Sequence, residues 1–246
     1  MKIVLTPDWF LGKDVLIEIF SFIVLFIFCY LCFKNYKLNK NKKILYLGIG
    51  FGLIGLAELA TIFTKLVLYY DNPFTQTIGD IMVSYDVVNS VDIFYHLGFF
   101  FYRLLMLLGL YAIYKMPVRK GHMEESLLTL FFIFLLSISS RDMSYLFHLA
   151  TLVLLALITK NYYMIYTENA SNNTRILVFA FSLLCLSNVI FIASNVEAMF
   201  VVANLIGLAS YIILLVLIIR ILKYGTEKKQ NRHNLRHTGN NQGTRG

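Results

Sequence analysis

The sequence predicts an all-α polytopic membrane protein with seven transmembrane helices, its N-terminus outside the cell and its C-terminus in the cytoplasm. Three observations carry this. Hydrophobic residues make up 58% of the 246 and charged residues 15%, against about 45–50% and about 25% in a soluble domain. The excess is gathered into runs, most of them about 18–24 residues long, the length a helix needs to cross roughly 30 Å of hydrocarbon. Lys and Arg collect in alternate connections, as they do in loops held on the cytoplasmic side.

The first run, 15–33, has no basic stretch before it and meets Lys34, Lys37, Lys40, Lys42 and Lys43 after it. It therefore reads as a signal anchor that stays in place. Cys29 and Cys32 lie on one face of it and, in an apolar span, read as packing residues rather than a redox or metal pair. The second run, 44–68, carries Gly48, Gly50, Gly52 and Gly55. Gly48 and Gly52 have the four-residue spacing that lets another helix approach closely, which makes this helix central. The connection 69–92 places Ile78, Ile81, Met82, Tyr85 and Val88 at helical spacing, a short amphipathic helix on the outer surface.

The third run, 93–114, is followed by Lys115, Arg119 and Lys120. The fourth, 126–139, is the shortest and ends at Ser139, Ser140, Arg141 and Asp142. Fusing it with the fifth, 145–163, would give six spans and put the basic tail outside. Charge placement selects seven, because Lys160, Arg175 and the tail residues Arg220, Lys223, Lys228, Lys229, Arg232, Arg236 and Arg245 then share the cytoplasmic face with the earlier basic loops. The sixth and seventh runs are 176–193 and 199–222. The transmembrane domain is thus 1–224, and 225–246, rich in Gly, Asn, Gln and basic residues, is expected to be a disordered cytoplasmic tail.

The net charge of +8 follows from this topology. It implies attraction to anionic inner-leaflet lipid at the basic loops and tail. No basic stretch interleaved with aromatics forms a stacking platform, so nucleic acid is not an expected partner. The partners are the lipid bilayer of the plasma membrane and, on the inner side, a cytoplasmic signalling partner.

An internal repeat can be traced. Laying 16–58 over 146–188 without a gap matches Leu25 with Leu155, Tyr36 with Tyr166 and Phe51 with Phe181. Polar residues coincide as well: Glu18 with His148, Ser21 with Thr151 and Glu58 with Asn188, while aligning the third helix with the seventh places His96 on Asn204. Helices 1–3 and 5–7 would form two parallel units, three plus one plus three, about an axis along the membrane normal.

Counted from the span ends, Glu18, Glu58, His96, Arg103, His148, Asn188 and Asn204 occupy one layer in the outer half of the bilayer. A charge there costs roughly 2.5–3.5 kcal/mol on insertion scales, so each needs a partner or a wet cavity. Two readings are open. A Glu58–Arg103 ion pair, with His and Asn side chains on backbone carbonyls, would hold the bundle together; an outward-opening pocket would bind a small ligand, ion or proton. His96 and His148 as a haem pair is a further reading, but no cofactor and no metal is expected.

The Glu58 helix, the Phe147-His148-Leu149 start of the fifth helix and the Asn231-Arg232-His233-Asn234-Leu235-Arg236 segment are similar to uncharacterised small archaeal seven-helix membrane proteins. That resemblance implies the fold and no activity. The layout also looks like the seven-helix sensor regions placed before histidine kinases. A retinal protein would need a lysine within 199–222, and there is none; sugar transporters with a three-plus-one-plus-three repeat carry prolines in their spans, whereas Pro7, Pro73 and Pro117 lie outside them. Zinc-protease, nucleophile-elbow and phosphate-loop motifs are absent. The sequence therefore points to a non-enzymatic, receptor-like sensor or membrane module, with a small-solute or ion transporter as the alternative.

Overall fold

A computed structural model of the chain describes residues 10, 12–40, 42–69, 90–115, 123–139, 144–193 and 197–240, without the side chains of several helix ends and of 222–240. Seven α-helices form among these residues: α1 Lys13–Asn39, α2 Lys42–Tyr69, α3 Ser90–Lys115, α4 Met123–Ser139, α5 Ser144–Asn169, α6 Asn172–Ala193 and α7 Glu197–Asn240. All but α4 contain an apolar stretch of 20 to 26 residues, long enough to cross a membrane, so the chain is a multi-pass helical membrane protein. The 17 residues of α4 reach only about 25 Å. The amphipathic segment expected over 78–88, the break at 140–142 and residues 241–246 lie outside the described residues.

Where composition predicts disorder from 225 onward, the backbone of α7 is helical to Asn240. A span has already met the cost of nucleation, and the Glu, Lys, Gln, Arg and Leu residues that follow are good helix formers, so propagation is cheap.

Six helices close into a ring. Helix α2 packs between α1 and α3, and α6 packs between α5 and α7. The two trios meet along thinner seams, α1 against α7 and α3 against α5, and α4 sits outside the ring on α3 and α5. Side-chain distribution explains the outer place of α4. Phe131, Phe132, Phe134, Leu135 and Ile138 are exposed, and only Ile133 and Ser137 among its described side chains are buried. Those apolar side chains have no reason to leave lipid, which is as apolar as they are; close packing has to hold the helices together instead.

The glycines of α2 supply that packing on two sides. A Cβ on Gly48 would stand 2.8 Å from Cys32 Cβ, and one on Gly52 would stand 2.9 Å from Cys29 Sγ, so both glycines and both cysteines form the α1–α2 contact. On the other side, Gly50 meets Gly109 of α3: a Cβ on either would come within 2.8 Å of the other's carbonyl oxygen. The central position expected of this helix follows.

The C-terminal ends of α1 and α5 are alike. Lys40 and Ala170 both adopt left-handed backbone, at φ 51° and 47°. The Lys40 N–H donates to Tyr36 O at 2.8 Å, and the Ala170 N–H to Tyr166 O at 2.7 Å. Each helix therefore ends on a left-handed cap that satisfies one orphan carbonyl. Between the trios lies an aromatic layer. Phe28 contacts Phe51 with ring centroids 4.4 Å apart, Phe51 stacks on Phe181 at 6.3 Å, and Tyr162 stacks on Phe181 at 5.7 Å.

Candidate ligand-binding cavity

Above this layer the ring encloses a cavity of about 130 Å³. Its construction follows from helical spacing. Glu18 and Leu25, Phe51 and Glu58, His148 and Leu155, and Phe181 and Asn188 all line it, and each pair is seven residues apart on one helix. Seven residues bring a side chain back to the same face roughly 10 Å along the axis. Each helix thus presents an apolar residue to the floor and a polar one to the chamber. Asn204 and Tyr211 repeat the spacing on α7.

The hydroxyls of Ser21, Thr151, Ser187 and Tyr211, and one N–H of each asparagine amide, are turned onto the protein. Ser21 donates to Ile17 O at 2.8 Å, Thr151 to Phe147 O at 2.9 Å and Ser187 to Ala203 O at 2.9 Å. The Asn188 amide donates to Leu184 O and the Asn204 amide to Phe200 O, each at 2.9 Å. Tyr211 Oη donates to Glu58 Oε1 at 3.2 Å. His148 Nδ1 lies 3.3 Å from Asn188 Oδ1, and its ring stacks on Phe191 with centroids 4.9 Å apart. What these groups still offer is chiefly lone pairs on hydroxyl, amide and carboxylate oxygens, with one further N–H on each asparagine amide.

A buried charge cluster stands at the C-terminal end of α2, against the start of α1. Lys65 Nζ donates to Asp14 Oδ2 at 2.7 Å and to Glu18 Oε1 at 2.5 Å. Asp14 and Glu18 are four apart on α1, so one helix face carries both acids to a single ammonium. One positive charge is shared by two carboxylates, and Glu18 Oε2 is buried with no hydrogen-bond partner. The sequence reading missed the cluster. Its signal was present: a lysine inside the second apolar run, and two acids at helical spacing at the start of the first.

Of the residues expected in the polar layer, the fold brings Glu18, Glu58, His148, Asn188 and Asn204 to the cavity and leaves His96 and Arg103 out of its lining. The face that α3 turns to the cavity carries Tyr102, Met106 and Leu110 at four-residue spacing. Arg103 is rotated from Tyr102 by about 100°. It is half-buried, and its guanidinium acts electrostatically on Tyr102 and His148. The Glu58–Arg103 ion pair of the sequence reading is not formed; Glu58 takes its hydrogen bond from Tyr211, a residue that reading passed over as one tyrosine among many. Of the two histidines read as a haem pair, only His148 reaches the cavity, where its ring is held by Asn188 and Phe191.

Chemically, the arrangement holds acceptors around a small chamber. Among the described residues no group of three or more His, Cys, Asp or Glu side chains could hold a metal ion. The Ser and Thr hydroxyls of the cavity donate to backbone carbonyls and are not set against His148 as nucleophile and base. No protein-family model, no curated protein and no solved structure matches this chain.

Proposed function

We propose that this protein is a receptor-like membrane protein that takes a small cationic ligand, such as ammonium or a short protonated amine, into the cavity between its two helix trios. The observation that carries this is the balance of the cavity wall: the hydroxyls of Ser21, Thr151, Ser187 and Tyr211 are spent on the protein while the carboxyl groups of Glu18 and Glu58 line it, so a ligand that brings donors or positive charge of its own fits best. The charge count agrees. Lys65 serves two acids, and Glu58 has no cation in ion-pairing distance among the described residues. A buried carboxyl group without a counter-charge is costly to ionise, and a bound cation offsets that cost. The chamber is many times the ~10–15 Å³ one water needs, yet small beside the ~300–1,000 Å³ of drug-sized sites, which limits the ligand to a few heavy atoms.

Occupancy would be read at the inner face, where the positive-inside pattern of Lys34 to Lys43, Lys115, Arg119 and Lys120 favours seven crossings with a basic cytoplasmic surface for a signalling partner. Thermal unfolding of the purified chain tests the ligand class. Ammonium or methylammonium chloride should raise the midpoint and sodium acetate should not, with the gain lost in Glu58→Gln. Equal effects of all salts would remove the reading.

Transport is the second reading, and a specific arrangement favours it. An internal duplication is supported by the matched contacts of α2 and α6 within their trios, by the paired left-handed caps at Lys40 and Ala170, and by the meeting of Phe51 with Phe181. Two like halves joined by thin seams around a central site suit alternating access by rocking. Uptake of radiolabelled methylammonium into proteoliposomes containing this protein alone would decide for transport; binding without uptake decides for the receptor.

A further inference from the structure

A second cavity, of about 620 Å³, opens where α5, α6 and α7 meet at the opposite membrane end from the acidic cluster. Its residues divide by depth. Arg175 stands in the first turn of α6 beside Asn172, Arg220 lies on α7, and Tyr163 and Tyr166 stand on α5. Phe179 and Ser182 continue down α6 from Arg175, and Ile213 lies seven residues back along α7 from Arg220. Seven residues on each helix correspond to roughly 10 Å. Ser182 Oγ donates to Val178 O, so the deep wall has no free donor to offer and is otherwise apolar.

We propose that this groove is a site for one anionic phospholipid, with the phosphate between Arg175 and Arg220 and an acyl chain along Phe179 and Ile213. Two features select a lipid over its alternatives. Arg175 and Arg220 come from positions far apart in the chain and both line this one cavity beside the N-terminus of α6, where the helix dipole favours negative charge; this is a match for phosphate oxygens. Free phosphate would occupy the mouth and leave the apolar length of the groove unused, whereas a phospholipid fills both. Arg175 is exposed, so the headgroup is reached from the bilayer surface. The site is separate from the acceptor-lined cavity, and neither proposal depends on the other.

Native mass spectrometry of the full chain tests this, in micelles doped with equal amounts of dioleoyl phosphatidylglycerol and dioleoyl phosphatidylcholine. One phosphatidylglycerol should be retained in preference to phosphatidylcholine, and each of Arg175→Gln and Arg220→Gln should lower its retention about five-fold, the effect of one basic side chain at an anionic surface. Ile213→Trp keeps both arginines and narrows the apolar length, so it should lower retention as well, and it stands as the test if an arginine variant fails to fold. Equal retention of the two lipids overturns the proposal. So does unchanged phosphatidylglycerol retention in all three variants, or its displacement by millimolar inorganic phosphate, which would mark a phosphate site at the mouth only.

Discussion

The rings of Phe51 and Phe181 stack across the centre of the bundle, with centroids 6.3 Å apart and planes inclined by 8°. Both are about 1% exposed, and both line the floor of the polar cavity. They join α2 to α6, the middle helices of the two trios, and each stands seven residues from the polar side chain it shares a face with, Glu58 or Asn188. Truncating either to Ala should lower unfolding free energy by about 3–5 kcal/mol, the range for a buried aromatic. A double-mutant cycle should return a coupling of about 0.5–1.5 kcal/mol beyond the sum of single effects. A coupling of zero would mean that the two rings contribute independently.

Lys65 neutralises two buried acids. Lys65→Met should destabilise the protein by about 3–5 kcal/mol, because it leaves charges uncompensated in a low-dielectric site. Adding Asp14→Asn and Glu18→Gln to it should restore most of that loss. Thermal unfolding in detergent of the single and triple variants measures both.

The Tyr211 hydroxyl and the Glu58 carboxylate separate structure from binding. Tyr211→Phe should cost about 1–3 kcal/mol, as expected when a buried acceptor loses its donor, while the stabilisation by methylammonium persists. Glu58→Gln retains an acceptor for Tyr211 and should abolish that stabilisation. Losing the ligand effect in Tyr211→Phe alone would move the site away from Glu58.

Gly50 and Gly109 leave no space for a methyl group, since each would meet the other's backbone. Gly50→Ala and Gly109→Ala should each destabilise by about 1–3 kcal/mol through overpacking. Gly55→Ala is the control: its added Cβ would stand 3.6 Å from the nearest atom, ordinary contact, and the helix should gain up to about 1 kcal/mol.

Lys40 and Ala170 hold left-handed backbone without being glycine. Such a residue costs roughly 1–2 kcal/mol, part of which glycine returns as unfolded-state entropy. Lys40→Gly and Ala170→Gly should therefore each stabilise the fold by about 0.5–1 kcal/mol. Equal gains at the two positions are expected from like turns, and unequal gains would show that their surroundings differ. Denaturant unfolding of the two variants measures this.

What the sequence by itself determined is whatever the bilayer dictates. Apolar run length placed the six long helices and marked 126–139 as the short one, because hydrocarbon thickness sets a minimum that composition cannot disguise. Glycine spacing put α2 between its neighbours, and the shared layer of Glu18, Glu58, His148, Asn188 and Asn204 was legible from depth alone. Tertiary structure decided the rest, because partner choice depends on rotation about each helix axis as well as on depth. That rotation turned Tyr102 rather than Arg103 into the cavity, brought Tyr211 to Glu58, and carried Lys65 to Asp14 and Glu18. Two residues at one height are neighbours only if their helices face each other, and in lipid that facing is chosen by close packing between side chains rather than by the hydrophobic pattern of any one helix.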